Sequence, residues 1–314
     1  MTAADAGRPV LLVALGGNAL IQKGQTGTVA EQLETLKVPM RRIARLSGNY
    51  RIIITHGNGP QVGNLLLQQE SCPEVPPLPL EILVAQTQGQ IGYMIESTLD
   101  SELMALEIDY RPIVSLISYV VVAPDDPAFA RPEKPIGPVL SEAAARSAPY
   151  PTVRTTRGFR RVVASPRPRT IVEKREIRTL IESDFIVICC GGGGIPVVRE
   201  GRAFSGVDAV IDKDLASATL AGEVGVDLFL IATDEAGVYR DYGTENATLL
   251  RSLSVAEAER LLADGELPAG SMGPKVAAAV QFLKAGGGRA VITDVTNIEA
   301  AVDGRAGTEM TLRD

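Results

Sequence analysis

Residues 51–63 read RIIITHGNGPQVG, a stretch that joins a buried strand, a glycine-rich turn and a helix. The apolar run Arg51–Thr55 predicts the strand, and Pro60 suits the first turn of a helix, where no backbone N–H is required. A glycine-rich turn between a strand and a helix N-terminus is an arrangement that holds an anion with backbone N–H groups. The stretch therefore predicts an α/β fold with an anion site where this strand ends.

Short apolar runs alternate with amphipathic stretches on both sides of this unit. The predicted strands are Val10–Leu15, Arg51–Thr55, Ile113–Leu116, Phe185–Cys189, Leu228–Ala232 and Arg289–Thr293. The predicted helices are Leu33–Leu46 with a kink at Pro39, Leu80–Leu106, Asp212–Val224, Ser254–Leu262 with a capping box, and Gly273–Ala285. This alternation predicts a mostly parallel sheet that is covered by helices on both faces.

The composition of the chain excludes several classes of function. Of its 314 residues, 31 are basic and 38 acidic, and the net charge of −7 disfavours a general nucleic-acid binder. Aromatic residues make up only 4%, which argues against stacking of single-stranded bases. A single histidine excludes a His-rich metal site, and three cysteines without a Cys-x-x-Cys spacing cannot form a disulfide scaffold. The adjacent Cys189 and Cys190 are expected to be small buried side chains.

The sequence carries no visible membrane or targeting segment. Its first apolar run, Val10–Leu15, is far too short to span a bilayer, and no cleavage site follows it. We therefore expect a cytoplasmic protein that has neither a membrane partner nor a nucleic-acid partner.

One region breaks the alternation of strands and helices. From about Tyr119 to Arg169 the chain is rich in proline and arginine and lacks a helical period. Because an excursion of this length inside an α/β domain is usually functional, the region predicts a lid or a subdomain.

Two further glycine turns follow predicted strands. Gly16-Gly17-Asn18 comes after the first strand, where small residues let a ligand approach the backbone, although a plain tight turn is equally compatible with these residues. The run of four glycines at 191–194 favours close approach of the backbone to a phosphate. Pro196 then predicts extended chain, so this turn is not followed by a helix as a Rossmann turn would be.

The glycines at residues 57–63 have the spacing Gly-x-Gly-x-x-x-Gly, which misses the dinucleotide fingerprint by one residue. No predicted strand ends in an acidic residue about 20 residues later, because Pro73–Pro79 lies there. Both differences disfavour a nicotinamide dehydrogenase. The role of His56, where the strand meets the turn, is left open between a hydrogen-bonded structural residue and a catalytic one.

Three lysines have settings that suit a phosphoryl group. Lys213 lies between two aspartates at a predicted helix start, where its point charge could meet a phosphoryl group while a carboxylate fixes its position. An exposed helix start with an aspartate cap is the alternative. Lys275 lies near another predicted helix N-terminus. Lys134 lies in the proline-rich excursion, where on its own it would be a surface residue. The chain contains no Gly-Lys dipeptide and therefore no Walker A loop.

Seven segments, taken in order, resemble the motifs of the carbamate kinase family, which belongs to the amino acid kinase superfamily. They are Ala14–Ala19 (ALGGNA), Thr55–Gly63 (THGNGPQVG), Lys134–Pro138 (KPIGP), Gly158–Pro166 (GFRRVVASP), Cys190–Val197 (CGGGGIPV), Gly206–Ser217 (GVDAVIDKDLAS) and Gly270–Val276 (GSMGPKV). Each motif alone is a weak signal. Seven motifs in the family's order, from residue 10 to about residue 310, make the resemblance specific.

The resemblance implies an open three-layer α/β/α sandwich with a mainly parallel, eight-stranded central sheet. It implies an N-terminal carbamate-binding lobe at residues 1–211, with a protruding subdomain at about 119–169, and a C-terminal nucleotide-binding lobe at 212–314. The implied reaction is ATP + carbamate ⇌ ADP + carbamoyl phosphate with Mg²⁺, run toward ATP in arginine catabolism. The implied assembly is a homodimer.

The resemblance also assigns site residues, although it leaves the metal ligands open. The catalytic residues are Lys134 and Lys213 on the transferred phosphoryl group, with Asp214 organising the lysines. The residues around carbamate and the phosphoryl group are Gly16, Gly17, Asn18, Gly57, Asn58 and Gly59. The nucleotide-binding residues are Lys275 at the phosphates, Met272 and Tyr239 beside the adenine, Gly273 and Gly192.

Two other functions remain as alternatives. One is another small-acid or phosphonate kinase of the same superfamily, which would keep the glycine turns and Lys213 but lose the segment around Lys134. The other is a non-catalytic nucleotide-binding regulator, which would lose one or more of the catalytic lysines. The chain retains all of these features.

Overall fold

A computed structural model provides the fold and describes residues 7–109, 111–155, 158–268 and 270–312. The helices are α1 Val29–Leu46, α2 Gly59–Glu70, α3 Leu80–Ala105, α4 Glu142–Ser147, α5 Lys174–Glu182, α6 Lys213–Val224, α7 Val255–Ala263, α8 Met272–Lys284 and α9 Ile298–Val302. The strands are β1 Val10–Leu15, β2 Arg51–His56, β3 Ile113–Ser115, β4 Tyr119–Val122, β5 Lys134–Leu140, β6 Thr152–Thr155, β7 Gly158–Val163, β8 Pro168–Ile171, β9 Ile186–Ile188, β10 Ile195–Glu200, β11 Ala203–Gly206, β12 Leu228–Thr233, β13 Val238–Arg240, β14 Thr248–Leu250, β15 Ser252–Ser254, β16 Arg289–Asp294 and β17 Thr308–Thr311.

The central sheet has eight strands in the order β15-β17-β16-β12-β1-β2-β9-β3. Neighbouring strands pair in parallel throughout, except that β17 runs antiparallel to β16. Strands in the middle of such a sheet are covered on both faces, which is why β1 and β12 consist of continuous apolar runs. The predicted mainly parallel α/β fold with eight central strands is confirmed.

Helices cover both faces of this sheet, so the molecule has three layers. Alternate residues of β1 point to opposite faces. Leu12 and Ala14 pack in a core that includes Leu220 of α6 and Phe282 of α8. The intervening residues of β1 pack in a second core with α1, α3 and α9. Cys189 and Cys190 are buried with free thiols, as predicted.

The structure corrects one strand. Ile113–Leu116 was expected to be a buried strand, but β3 is the last strand of the sheet and has a neighbour on one side only. Its residues are half-buried or exposed. An apolar run of this length cannot by itself distinguish a central strand from an edge strand.

The proline-rich excursion divides into two parts. Strands β5, β7 and β6 form a three-stranded antiparallel sheet, which α4 accompanies. Strands β4 and β8, at the two ends of the excursion, belong instead to a four-stranded sheet with β10 and β11. The predicted subdomain at 119–169 therefore includes two strands that pair with β10 and β11, and the subdomain itself stays a prediction. Residues 156 and 157, which fall within it, lie outside the described residues.

The central sheet is continuous across the predicted boundary between the two lobes. Half of its strands, β3, β9, β2 and β1, come from residues 1–211, and the other half come from residues 212–314. The division at residue 212 stays a prediction. Among the described residues, no helix is long and apolar enough to cross a membrane.

Candidate active site

A cluster of lysines and aspartates lies where α6 and α8 begin. Asp214, in the first turn of α6, accepts a hydrogen bond from Lys213 at Oδ1 and one from Lys275 at Oδ2, the second at 3.0 Å. Lys213 is the first residue of α6, and Lys275 lies in the first turn of α8. One carboxylate therefore holds two lysines that come from different helices.

Lys134 reaches this cluster from β5 and forms an ion pair with Asp212 Oδ2. The other oxygen of Asp212 accepts the backbone N–H of Asp214 at 2.9 Å and that of Leu215 at 3.3 Å, and in this way caps α6. The sequence predicts an aspartate cap only as the alternative to a functional helix start, and Asp212 is therefore not among the predicted site residues. The Asp-Lys-Asp order carried the signal, because the first aspartate can cap the helix with one oxygen and bind a lysine with the other.

Burial and ion pairing together set the charges of the cluster. Burial raises the pKa of Asp214, but Lys213 and Lys275 outweigh it and hold that pKa well below its usual value. Burial lowers the pKa of Lys213, against the effect of Asp214. Burial also acts to lower the pKa of Lys275, but Asp214 outweighs it and the net shift is upward. With Lys134 and Asp212, three ammonium groups face two carboxylates, a formal excess of one positive charge that suits an anionic ligand.

The glycine turns after β1 and β2 meet beside Lys213. A Cβ atom on Gly57 would lie 3.5 Å from Lys213 Cδ and 3.7 Å from the backbone nitrogen of Gly17. Gly16 donates its N–H to Ala232 O at 2.9 Å, and a Cβ there would lie 3.0 Å from the same oxygen. The structure therefore brings the predicted residues Gly16, Gly17 and Gly57 together with Lys213.

The two predicted asparagines have different surroundings. Asn58 is buried at the start of α2 and donates its side-chain N–H to Thr87 Oγ1 of α3 at 2.8 Å. Asn18 is half-buried in a single turn of 3₁₀ helix that follows β1. Gly59 begins α2, and a Cβ on it would lie 3.8 Å from Pro135 O, next to Lys134. Asn58 thus joins the turn to α3, and Gly59 lies against the excursion.

Protein packing accounts for the four glycines at 191–194. A Cβ on Gly191 would overlap the imidazole of His56, and one on Gly192 would overlap the amide of Asn58. The other two glycines would meet protein atoms in the same way. The run was expected to make room for a phosphate, but neighbouring protein groups occupy the space beside each glycine. A nucleotide contact of Gly192 stays a prediction.

His56 is buried at the end of β2. Its Nδ1 lies 3.2 Å from Gly57 O. Burial lowers the pKa of His56 to about 4, against the effect of the Gly57 carbonyl, and Lys213 lowers it further. The imidazole is therefore neutral near pH 7. Its burial and its hydrogen bond accord with the structural role, one of the two alternatives that the sequence left open.

The remaining residues predicted at the nucleotide lie on α8 and β13. Met272 and Gly273 form the buried start of α8, in the same turn as Lys275. Tyr239 is half-buried on β13, and its ring packs edge-on against Tyr242 with centroids 6.0 Å apart. Contact of Met272 and Tyr239 with an adenine stays a prediction.

The residues present suit a magnesium ion that arrives with a nucleotide. Within the described residues, no group of three His, Cys, Asp or Glu side chains could hold a metal ion. Asp212 and Asp214 are each bound to lysine. Magnesium at kinase sites keeps several waters and takes one or two carboxylates together with substrate phosphates. That arrangement fits this site better than a dedicated protein cage does.

Contacts between α2 and the excursion fix the position of Lys134. A Cβ on Gly63 would overlap the backbone of Gly137, so the two chains touch directly at these glycines. Arg160 donates to Gly137 O from Nε at 3.0 Å and from Nη2 at 2.7 Å. Because Gly137 is three residues beyond Lys134 on β5, these contacts set the point from which Lys134 enters the cluster.

Comparison with known proteins places this chain in a family. The sequence model of the amino acid kinase family matches residues 9–294. A carbamate kinase from Pyrococcus horikoshii is 44% identical over 310 residues, which cover 96% of this chain and 98% of that protein. A carbamate kinase from Escherichia coli K12 is 41% identical over 306 residues, which cover 96% and 99%.

Solved structures give the same result. Carbamate kinase from Giardia lamblia bound to citric acid superposes with a TM-score of 0.92 and 37% identity, covering 98% of this chain and 99% of that one. The same protein bound to AMP-PNP superposes with a TM-score of 0.87 and 36% identity, with the same coverage.

Proposed function

The chain belongs to the amino acid kinase family, and we propose that its lysine cluster transfers a phosphoryl group between ATP and carbamate. Its activity is that of a carbamate kinase, in keeping with its full-length similarity to carbamate kinases from several organisms. The observation that carries the proposal for these residues is Asp214, which holds Lys213 and Lys275 on its two oxygens.

The proposed role of each lysine follows from its position in the site. Phosphoryl transfer needs in-line positioning of the reacting oxygens and neutralisation of charge on the transferred group. Lys213, beside the glycine turns, stabilises the phosphoryl group in transfer. Lys275 binds the nucleotide phosphates, and Lys134 binds the phosphoryl group from the side of the excursion. The aspartates hold these ammonium groups in place before the substrate arrives, so little reorganisation is needed during the reaction.

The proposed reaction needs no general base. Carbamate attacks with an oxygen that is already anionic, and in the reverse direction so does the β-phosphate of ADP. A neutral His56 next to the site is consistent with this chemistry, because its role is to support the turn at Gly57.

Mg²⁺ is proposed to enter with ATP or ADP, as part of the nucleotide substrate. When bound with the nucleotide, the ion would neutralise part of the negative charge of the phosphates. The AMP-PNP-bound relative supports nucleotide binding by this chain.

We further propose that the protein acts as a homodimer and that the exposed side of α3, which includes Ile82, Tyr93 and Met104, forms the contact.

The test of the function is formation of ATP from ADP and carbamoyl phosphate with Mg²⁺. Acetyl phosphate serves as the comparator, and the opposite direction is measured with ATP and carbamate. Turnover with carbamoyl phosphate is expected. Absence of that turnover, from protein that is folded, would favour another small-acid kinase or a nucleotide-binding regulator.

The assignment of Lys213 is tested by Lys213→Ala. We expect the turnover number to fall by roughly 10²–10³, the usual effect of removing one preorganised donor to a transition state. The matched control is Lys284→Ala, at the end of α8, where the ammonium pairs with Glu259 near the surface. Near wild-type turnover in folded Lys213→Ala protein would contradict the assignment.

A further inference from the structure

Two glutamines and one glycine form a series of hydrogen bonds near the glycine turns. Gln32, on α1, donates its side-chain N–H to Gly27 O at 2.7 Å. Gln61, in the first turn of α2, donates its own side-chain N–H to Gln32 Oε1 at 2.8 Å. The Gly27 carbonyl can only accept, so it fixes the orientation of the Gln32 amide, which in turn fixes that of Gln61.

The last residue in this series of hydrogen bonds, Gln61, has an acceptor atom without a partner among the described residues. Gln61 is only 4% exposed, and no described residue donates a hydrogen bond to its Oε1 atom. Buried polar atoms in folded proteins are nearly always hydrogen-bonded, so an exception needs an explanation. The Gln61 amide cannot be flipped to exchange its oxygen and nitrogen, because Gln32 Oε1 can only accept and needs the N–H of Gln61 as its donor.

Gln61 lies close to the second glycine turn of the site and reaches, through Gln32, the segment that follows the first one. Gln61 lies two residues after Gly59, in the turn of helix that starts the proposed anion site. Through Gln32 it is bonded to the segment that runs from Gly17 to α1. A small substrate held between these turns therefore lies next to the first turn of α2.

We propose that Gln61 Oε1 accepts an N–H of the amino group of carbamate or carbamoyl phosphate and makes the enzyme selective for that group. The inference rests on the proposed function. Carbamate and acetate have nearly the same size and differ in an amino group against a methyl group. A buried acceptor discriminates between them, because a methyl group leaves it unpaired, whereas an apolar pocket accepts both.

The experiment compares two phosphoryl donors in the intact protein. For wild type and Gln61→Met, kcat/KM for ATP formation is measured with carbamoyl phosphate and with acetyl phosphate. The inhibition constant of acetyl phosphate against carbamoyl phosphate is measured as well, so the comparison does not depend on acetyl phosphate turnover. The matched control is Gln68→Met, which replaces an exposed glutamine on the same helix.

We expect Gln61→Met to lower kcat/KM for carbamoyl phosphate by about 10- to 100-fold and to change the acetyl phosphate values by less than about twofold. Gln32→Met, which removes the positioning partner and keeps Gln61, is expected to lower the preference in the same direction by less. It serves as the second variant if Gln61→Met does not fold. Gln68→Met is expected to match the wild type.

Two results would overturn the inference. One is an equal loss with both phosphoryl donors, which indicates a purely structural role or a bound water. The other is unchanged turnover of carbamoyl phosphate by Gln61→Met and Gln32→Met. A wild type that does not use carbamoyl phosphate at all contradicts the proposed function itself and is distinguishable from both.

Discussion

Asp212 performs two tasks with its two oxygens, and substitution can separate them. Oδ1 caps α6, whereas Oδ2 binds Lys134. Asp212→Asn keeps a good helix cap but removes the charge that holds Lys134. We expect its free energy of unfolding to stay within about 1 kcal/mol of wild type and its turnover to fall by about 10- to 100-fold, because Lys134 loses its position. Urea unfolding and the ATP-forming assay measure the two effects.

Asp212→Ala is the companion variant, since it removes both the helix cap and the ion pair with Lys134. It should lose the same activity and in addition about 0.5–2 kcal/mol of stability from the missing cap. If Asp212→Asn retains wild-type turnover, the ion pair with Lys134 has no part in positioning that lysine.

His56 predicts how stability depends on pH. Its pKa is about 4 in the folded protein, against an ordinary value of 6.5. The unfolded chain therefore takes up a proton first as the pH falls, so stability is complete above about pH 6.5 and is lost progressively down to about pH 4. The full loss is about 3 kcal/mol. Because His56 is the only histidine, the change between pH 6.5 and 5 belongs mainly to this residue.

Urea unfolding of wild type and His56→Gln across this range measures the effect. Burial raises the pKa of Glu173, which titrates in the opposite sense, so the difference between the two proteins is the quantity to compare. His56→Gln should have a lower stability and a flatter dependence on pH. Parallel pH curves for the two proteins would show that His56 does not titrate with folding.

At the scale of single residues, the sequence predicted the three lysines and Asp214 as site residues, but not Asp212, the partner of Lys134. Lys213 and Lys275 stood out because they lie at predicted helix starts, which are local features. The pairing of Lys134 with Asp212, and the orphaned oxygen of Gln61, depend on contacts between segments far apart in the chain. The same holds for Gly191 and Gly192, whose packing partners His56 and Asn58 lie at the end of β2 and just before α2.

At the scale of elements, the central strands were predictable because burial on both faces leaves a continuous apolar run. The first strand was predicted with its observed bounds, Val10–Leu15. The three-stranded sheet of β5, β6 and β7 was not predicted, because its strands contain prolines and arginines and are only partly buried. Such strands lack both the apolar run and a clear alternation.

The contact between this small sheet and α2 leads to a prediction about Gly63. Gly63→Ala places a methyl group where the backbone of Gly137 lies, so the sheet and the helix must separate. We expect a loss of about 1–3 kcal/mol in stability, as for other overpacked contacts, together with reduced turnover because Lys134 moves with β5. Urea unfolding and the ATP-forming assay are the measurements.

Gly222→Ala on α6 is the matched control for this substitution. The added methyl there would lie 3.4 Å from Ala285 Cβ, an ordinary van der Waals contact, and alanine in a helix interior is more stable than glycine by roughly 0.5–1 kcal/mol. The control should therefore be as stable as wild type or more so, with unchanged turnover. Equal behaviour of Gly63→Ala and Gly222→Ala would mean that the contact with Gly137 does not constrain the sheet.

At the scale of the whole molecule, net charge and local charge have opposite signs. The chain carries −7 overall, whereas the five side chains of the lysine cluster have a formal excess of one positive charge. Overall composition therefore disfavoured a general nucleic-acid binder without indicating the sign of the substrate. The local charge arises only when the fold assembles residues from β5, α6 and α8.

The largest scale also carries the prediction of a homodimer. Helix α3 exposes Tyr93 by 70%, Met104 by 66% and Ile82 by 42%. Large apolar side chains on one exposed helix face favour a contact with another protein surface. Light scattering after gel filtration should give about 66 kDa, twice 33.2 kDa.

Tyr93→Glu, which places a charge within the proposed contact, should shift the protein toward 33.2 kDa. Phe204→Glu changes an exposed aromatic residue on the β10–β11 hairpin and should leave the dimer intact. A monomeric wild type would contradict the dimer, and a dimeric Tyr93→Glu protein would place the contact on another surface.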